Sequence, residues 1–169
     1  MESFADLLVK TIPPLRRYAR SLTGDFHQAE DLVQDCLDRA WSRMGQWRSD
    51  TNMRAWVFTI MHNLYINQAR RNRRTKAWQS LDDPEPMDHR EQGQESAMNL
   101  RDLEKGLARL SEDQREVLML VCVEGMSYEQ VAQVLSIPIG TVMSRLHRAR
   151  EQMRSWMHGE ESPRLRRIK

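Results

Sequence analysis

The sequence of 169 residues lacks the features that would indicate an enzyme. It has only two cysteines and no Cys-x-x-Cys pair, and its five histidines have no metal-ligand spacing with cysteine or acid. It contains no glycine-rich phosphate loop, no strand-like alternation and no nucleophile with a neighbouring base. We therefore expect no catalytic centre, no metal and no cofactor.

Long apolar runs are absent as well, and the mean hydropathy is -0.72. No stretch approaches the length of a membrane span, and Glu2 and Asp6 replace the basic region of a secretory signal. Cys36 and Cys122 each occupy an apolar helical position, which favours buried free thiols. We expect a cytoplasmic protein that is not inserted in a membrane and has no small-molecule substrate.

Charge is unevenly distributed, although the net charge is only +2. Residues 61–78 carry five basic and no acidic residues, residues 79–104 carry two and eight, and residues 141–169 carry eight and three. Two basic blocks separated by an acidic stretch predict two nucleic-acid contacts joined by a segment that stays off the phosphates.

Apolar residues at helical spacing fill the first half of the chain. Pro13-Pro14 predicts a break between a short helix and a second one that Pro14 begins. Asp25 is expected to cap a helix over about Phe26 to Met44, whose apolar face ends in Ala40, Trp41 and Met44. Its other face is polar: Asp31, Gln34, Asp35 and Asp38. This face is either simply solvated or docks on a basic partner.

A further helix is predicted from about Met53 to Arg74. Five basic residues within Arg70–Lys76 exceed what the helix macrodipole would favour, and they indicate phosphate contact. Trp56, Phe58 and Tyr65 lie near these charges. Such aromatics can stack single-stranded bases, although the spacing of Trp56 favours the core. Residues 77–98 read as a flexible linker, after which Leu100, Leu103, Leu107 and Leu110 restore helical periodicity and Ser111 caps a helix.

Residues 125–156 predict a helix-turn-helix. Gly125 ends the preceding helix, Ser127 and Gln130 form a capping box, and Ser136–Gly140 is the turn. The second helix has an apolar stripe: Val142, Leu146, Ala149, Met153, Trp156 and Met157. Its opposite side and flanks are polar: Thr141, Ser144, Arg145, His147, Arg148, Arg150, Glu151 and Arg154. Such a helix fits a DNA major groove, while the alternative is an ordinary amphipathic hairpin.

These motifs, in this order and spacing, resemble the extracytoplasmic-function (group IV) RNA polymerase sigma factors of the sigma-70 family. The matching segments are Ala29–Asp35, Arg39–Trp41, Arg54–Trp56, Asn63–Leu64, Ser127–Ala132 and Gly140–Arg150. The resemblance implies an all-α fold of two small helical domains joined by a flexible linker, the C-terminal one containing the helix-turn-helix. The implied division is domain 2 over 1–76, an acidic linker over 77–98, domain 4 over 99–158 and a basic tail over 159–169.

The resemblance also implies a role in transcription initiation and indicates which residues would perform it. The polymerase-binding residues are Asp31, Gln34, Asp35 and Asp38. The −10 element would be bound by Asn63, Arg70, Arg71, Arg73 and Arg74. The −35 element would be read by Thr141, Met143, Ser144, Arg145, His147 and Arg148. The helix-turn-helix is held by Tyr128, Val131, Ala132, Gly140, Val142 and Leu146. The implied partners are core RNA polymerase, promoter DNA and an anti-sigma factor.

Some positions depart from the family pattern. Met143 replaces a frequent Lys or Arg, Asn67 stands where Asp is common, and Cys36-Leu37 replaces a common Thr-Phe pair. Two alternatives remain. One is a stand-alone helix-turn-helix regulator, which would not explain the acidic helix, and the other is a sigma mimic that sequesters an anti-sigma factor. Mimics tend to lose basic residues from the recognition helix, whereas Arg145, Arg148 and Arg150 are present here.

Overall fold

The computed structural model describes residues 2–78 and 96–158, and every regular element in these ranges is helical. The all-α prediction is confirmed. The helices are α1 Phe4–Thr23, α2 Phe26–Ser42, α3 Met53–Trp78, α4 Ser96–Arg109, α5 Glu112–Leu118, α6 Tyr128–Leu135 and α7 Ile139–Met157, with a 3₁₀ turn Met44–Gln46 and a π-helical turn Met119–Val123. None of the described helices is long and apolar enough to cross a bilayer.

The predicted linker and tail fall mainly outside the described residues. Positions 79–95 and 159–169 are not described, whereas residues 77–78 complete α3 and residues 96–98 begin α4. The described helices form an N-terminal unit, α1–α3, and a C-terminal unit, α4–α7. The domain boundaries themselves stay predictions.

Helix α1 is continuous through Pro13-Pro14, so the predicted break is wrong. The two prolines remove the donors for the carbonyls of Val9 and Lys10, and both of these residues are exposed, where water can replace the lost bonds. On the other side, Leu15 and Tyr18 are completely buried. Packing of the apolar face therefore outweighs the local cost of the prolines.

Helix α2 begins and packs as its sequence predicts. Gly24 takes a left-handed conformation with φ of 67°, and Asp25 Oδ1 then accepts a hydrogen bond from the backbone N–H of Gln28 at 2.8 Å. The buried face is Ala29, Leu32, Val33, Cys36 and Ala40. Trp41 and Met44, which were expected on this face, are 56% and 46% exposed. Both follow Ala40, the last buried residue of the helix, and Met44 lies beyond the helix end at Ser42.

The aromatic residues near the basic block belong mostly to the interior. Phe58 is fully buried, and its ring centroid lies 5.2 Å from that of Tyr18. Trp56 is half-buried, and its ring centroid lies 6.2 Å from that of Phe4 in an edge-to-face arrangement. Core packing, rather than base stacking, therefore occupies these two rings.

The helix-turn-helix forms with the predicted caps. Ser111 and Ser127 each make a complete capping box, and Gly125 has a φ of 63°. Ser136 is left-handed with a φ of 53°, and α7 begins at Ile139. The turn is thus shorter than predicted, because Gly140 already belongs to the first turn of α7.

Helix α4 rests closely on α7 at Gly106. A Cβ atom at Gly106 would lie 2.7 Å from Cδ1 of Trp156, so only glycine allows this approach. Trp156 Nε1 donates to the carbonyl oxygen of Asp102 at 3.1 Å, and the Arg109 guanidinium lies 4.1 Å from the Trp156 ring centroid. These contacts attach α4 to the end of α7.

The two cysteines lie in different environments. Cys36 is fully buried, and burial together with nearby Asp35 raises the pKa of its thiol to about 12. Cys122 is exposed, with its Sγ 3.7 Å from Nη2 of Arg150, so the prediction of a buried thiol is wrong there. The π-helical turn keeps Leu120 on the buried side and leaves Cys122 facing solvent.

Candidate nucleic-acid and protein interfaces

The outer face of α7 presents the residues predicted to read the −35 element. Val142 and Ala149 are fully buried and Leu146 nearly so, which fixes the rotation of the helix. The opposite side is exposed at Met143, Ser144, His147 and Arg148, and Thr141 is half-buried at its start. A helix held by its apolar back with a polar and basic front is suited to a major groove.

Arg145 differs from its neighbours on α7. Its side chain is only 26% exposed, and its Nη2 atom lies 2.9 Å from Oδ2 of Asp113 in α5. The pair braces α7 against α5. Contact between Arg145 and DNA would compete with this pair, whereas Arg148 is exposed.

The residues assigned to the helix-turn-helix frame form the contact between α6 and α7. Val131 is fully buried beside Val142 and Leu146, while Tyr128 and Ala132 are half-buried against the core. Gly140 is exposed, and no atom would meet a Cβ placed there. The buried residues set the orientation of α7, and Gly140 is not among them.

The predicted −10 residues follow α3 toward its end. Asn63, Arg70 and Arg71 are exposed. Arg73 and Arg74 lie within α3, but their side chains are outside the described set. Helix α3 is also held by Tyr65, whose hydroxyl donates to the carbonyl oxygen of Leu22 at 3.1 Å.

The polar face of α2 is exposed along its whole length, at Asp31, Gln34, Asp35 and Asp38. Asp35 Oδ2 accepts a hydrogen bond from Nε2 of Gln68 at 3.3 Å. Trp41 lies three residues after Asp38 and shares this face at helical spacing. The apolar pattern of the helix predicted Trp41 in the core, because a tryptophan at that spacing counts as an apolar position whether or not the core reaches it. Exposed tryptophan beside charge is common in protein interfaces.

A second pair of acids lies at the contact between the two units, and both are buried. Glu124 has no exposed side-chain surface, and Arg17 binds it with Nε 3.1 Å from Oε1 and Nη2 3.0 Å from Oε2. Arg54 Nη2 also donates to Oε2 of Glu124. The sequence pattern indicated neither Arg17 nor Glu124, and Arg54 entered only as part of the family motif Arg54–Trp56.

Glu116 receives two further donors from the N-terminal unit. The Tyr18 hydroxyl donates to its Oε1 atom at 3.2 Å, and Nδ1 of His62 lies 3.1 Å from the same oxygen. Burial and the Glu116 charge raise the pKa of Tyr18 well above its usual range, so the phenol remains a donor. We call Arg17, Tyr18, Arg54, His62, Glu116 and Glu124 the inter-unit cluster.

One signal for the buried acids is present in the sequence. Glu116, Leu120 and Glu124 follow one another at intervals of four residues. This spacing places the two acids on the same side of a helix as a leucine expected in the core. A charged residue within an apolar stripe indicates a buried partner.

The fold and these surfaces define a two-unit helical DNA-binding protein with an exposed acidic face. Comparison with protein families matches residues 8–62 to the sigma2 domain of PhyR and residues 100–153 to sigma-70 region 4. The two matches fall on the two helical units.

Comparison with individual proteins also indicates a sigma factor. The chain is 34% identical to the ECF RNA polymerase sigma factor EcfG of Rhodopseudomonas palustris over 93% of this chain and 86% of that protein. It is 38% identical to the ECF sigma factor SigL of Mycobacterium tuberculosis over 83% and 80% of the two chains. The chain therefore belongs to the extracytoplasmic-function RNA polymerase sigma factors, which are initiation factors and not enzymes.

Solved structures share the fold. The sigma factor RpoE of Bartonella quintana, in complex with the anti-sigma factor NepR, has a TM-score of 0.78 and 33% identity over 94% of this chain and 98% of that chain. The PhyR fragment bound to NepR from Sphingomonas sp. Fr1 has a TM-score of 0.71 at 21% identity, covering 99% of this chain and 98% of that chain, which supports the fold alone.

Proposed function

We propose that this sigma factor binds core RNA polymerase through the acidic face of α2 and reads the −35 element with α7. The end of α3 would contact the −10 element. The observation that carries the proposal is the rotation of α7, which buries Val142 and Leu146 and exposes His147 and Arg148. The protein would act in the cytoplasm, where its polymerase is.

The acidic face supports the polymerase contact through charge. Among the described residues, neither Asp31 nor Asp38 has an ion-pair or hydrogen-bond partner, and Asp35 contacts only the neutral amide of Gln68. Their charge is therefore available to a basic partner, such as an arginine-rich helix pair of the polymerase. Trp41 on the same face would add an apolar anchor to this contact.

The two DNA contacts would have different roles: α7 would provide sequence specificity, and the end of α3 would provide affinity that does not depend on sequence. Arg148 is exposed on the outer face of α7, where a bidentate contact with guanine can distinguish bases. Arg70 and Arg71 are exposed on α3 and follow His62, the last buried residue among the side chains of α3 that the structure describes, a position suited to phosphates. Asn63 is exposed one residue after His62 and would bind a base flipped out of the melted element.

We also propose that a cognate anti-sigma factor binds both units and masks these surfaces when the factor is off. Support comes from the relative of known structure that is bound to the anti-sigma factor NepR. Co-purification from native cells should recover this partner under non-inducing conditions. Recovery of polymerase alone would contradict the proposal.

A sigma mimic is the second candidate, because the N-terminal match is to the sigma2 domain of PhyR. PhyR of Bartonella quintana is named an anti-anti-sigma factor in its solved complex with NepR, and a protein of that kind would have no need to read promoter DNA. The exposed Arg148 and Arg70 favour the sigma factor, since exposed basic side chains on α7 and α3 suit contact with DNA, which a mimic does not need.

The test is run-off transcription with purified core polymerase on the upstream DNA of the protein's own gene. We expect a discrete transcript that requires the factor and disappears when the −35 sequence is scrambled. Core polymerase alone is the control for background initiation. Absence of a transcript, together with tight binding to an anti-sigma factor, would support the mimic instead.

A further inference from the structure

Two exposed apolar residues lie in the first turns of α7. Met143 is 48% exposed and Ile139 is 38% exposed, and they are four residues apart. The core is formed by other residues of the helix: Val142, Leu146, Ala149 and Met153. Burial in the core therefore does not explain why these two positions are apolar.

Helical periodicity places the pair beside the polar front of α7. Residues four apart are neighbours on a helix surface, so Met143 lies next to Ile139 on one side and next to His147 on the other. His147 and Ser144 are both exposed. Ile139 and Met143 thus extend the exposed polar face of α7 with an apolar patch.

The charge around the patch favours DNA as its occupant. Residues 139–150 contain three arginines and no acidic residue, and Arg148 and Arg150 are exposed. Exposed cations are attracted to the phosphate backbone of a duplex. A duplex can therefore approach this part of α7 with favourable electrostatics.

The major groove offers one apolar group on a base edge, the C5-methyl group of thymine. A methionine side chain is unbranched and adaptable, so it can cover such a methyl group from a helix in the groove. The Cβ atoms of residues four apart are roughly 5–6 Å apart. Base pairs are stacked roughly 3.4 Å apart, so both side chains can reach base edges one or two steps from each other.

We propose that Met143, with Ile139 beside it, binds the C5-methyl group of a thymine in the −35 element. The inference rests on the proposed function and deepens it, because it names the chemical group that is read. Cytosine lacks this methyl group, so a G·C pair at the same position loses the contact. Met143 is thus a specificity residue that acts through apolar contact, whereas Arg148 would act through hydrogen bonds.

The test compares thymine with uracil, because the two bases differ only in the C5-methyl group. Run-off transcription first locates the −35 element relative to the transcript start. Each thymine of the element, on either strand, is then replaced by uracil in turn. Binding is measured with holoenzyme assembled from core polymerase and the full chain, and the readout is the ratio of the Kd values for uracil and thymine at each position.

The test variant is Met143→Gln, which removes the apolar character but keeps an unbranched side chain with similar helix propensity. The matched control is Met157→Gln, because Met157 is 76% exposed in the last turn of the same helix. Fourteen helical residues separate the two positions, which is roughly 21 Å. Met143→Leu tests rescue by another apolar side chain.

In the unmodified chain, uracil at one position should weaken binding roughly fourfold, which corresponds to about 0.8 kcal/mol for one buried carbon. Met157→Gln and Met143→Leu should keep this sensitivity. Met143→Gln should lose it, so that thymine and uracil at that position bind equally well. A general change in the affinity of a variant does not affect the ratio.

Equal binding of thymine and uracil at every position would overturn the proposal, as would sensitivity to uracil that persists in Met143→Gln. An element without thymine on either strand would also overturn it. If Met143→Gln weakens only the binding of an anti-sigma factor, the patch is a protein contact and the proposal is wrong. The proposed function survives these results, and it fails if holoenzyme binds the −35 element and a scrambled sequence equally.

Discussion

The protein places carboxylates in two contrasting regions. On α2, Asp31, Asp35 and Asp38 are exposed, and none of them forms an ion pair among the described residues. At the inter-unit cluster, Glu116 and Glu124 are buried, and each is held by two side chains of the N-terminal unit. The same functional group is thus available to another protein in one region and committed within the chain in the other.

Burial explains the difference in role. An exposed carboxylate is hydrated and screened by salt, so it contributes little to the free energy of folding. It therefore remains available to bind a partner. A buried one loses hydration and must keep its donors, so it defines geometry. Substitutions on α2 should therefore affect binding to a partner protein, whereas substitutions in the inter-unit cluster should affect conformation and stability.

The largest effect is expected from reversing charge on α2. Asp35→Arg with Asp38→Arg should weaken binding to core polymerase by roughly 100-fold, since like charges across an interface cost several kcal/mol. Asp102→Arg with Glu104→Arg, exposed acids on α4, makes the same charge change as a control. Stability should change by less than about 0.5 kcal/mol. Equal affinities for the two double variants would reject the docking surface.

A smaller effect on promoter binding is expected on α7, where the exposed Arg148 can be compared with the ion-paired Arg145. Arg148→Ala should lose roughly 1–3 kcal/mol of discrimination between −35 sequences, because Arg148 is exposed on the outer face of α7 and we propose that it contacts a base edge. Arg145→Ala should lose less, since Arg145 is already paired with Asp113. Binding to a panel of mutated promoters measures both. A uniform loss on every sequence would make Arg148 a phosphate contact.

Within the cluster, Tyr18→Phe should lower the free energy of unfolding by about 1–2 kcal/mol. The change removes one hydrogen bond to a buried charge and leaves Glu116 with His62 alone. The ring still packs on Phe58, so the loss is not one of volume. Urea unfolding followed by circular dichroism measures it, and an unchanged midpoint would show that Glu116 does not need the phenol.

The smallest effect is expected from an exposed ion pair. Arg16 lies 3.0 Å from Glu30, and the Arg16 side chain is 57% exposed. Arg16→Ala should therefore alter the free energy of unfolding by less than about 1 kcal/mol. The same urea titration checks it. A loss larger than that of Tyr18→Phe would contradict the view that burial decides the contribution of a charge in this protein.

The sequence was sufficient for the features that depend on neighbours along the chain. The caps at Asp25, Ser111 and Ser127 and the apolar back of α7 follow from spacing and side-chain chemistry alone. The positions of Met143, His147 and Arg148 on the outer face of α7 follow from the same periodicity.

Features that depend on tertiary context were missed. The proline pair in α1 is tolerated because of packing on its far side, and Cys122 is exposed because of a π-helical turn. The partners of Glu124 are 107 and 70 residues away in the chain, and no local pattern connects them. The exposure of Trp41 depends on where the core ends.

The most direct measurement combines affinity for core polymerase with the free energy of unfolding in two variants. We predict that Asp35→Arg with Asp38→Arg loses polymerase binding while its free energy of unfolding changes by less than about 0.5 kcal/mol. We predict that Glu124→Gln keeps its affinity for polymerase but lowers the free energy of unfolding by about 1–3 kcal/mol, because Arg17 and Arg54 lose a buried charged partner. Loss of polymerase binding in Glu124→Gln equal to that of the α2 variant would contradict the separation of the two acidic regions.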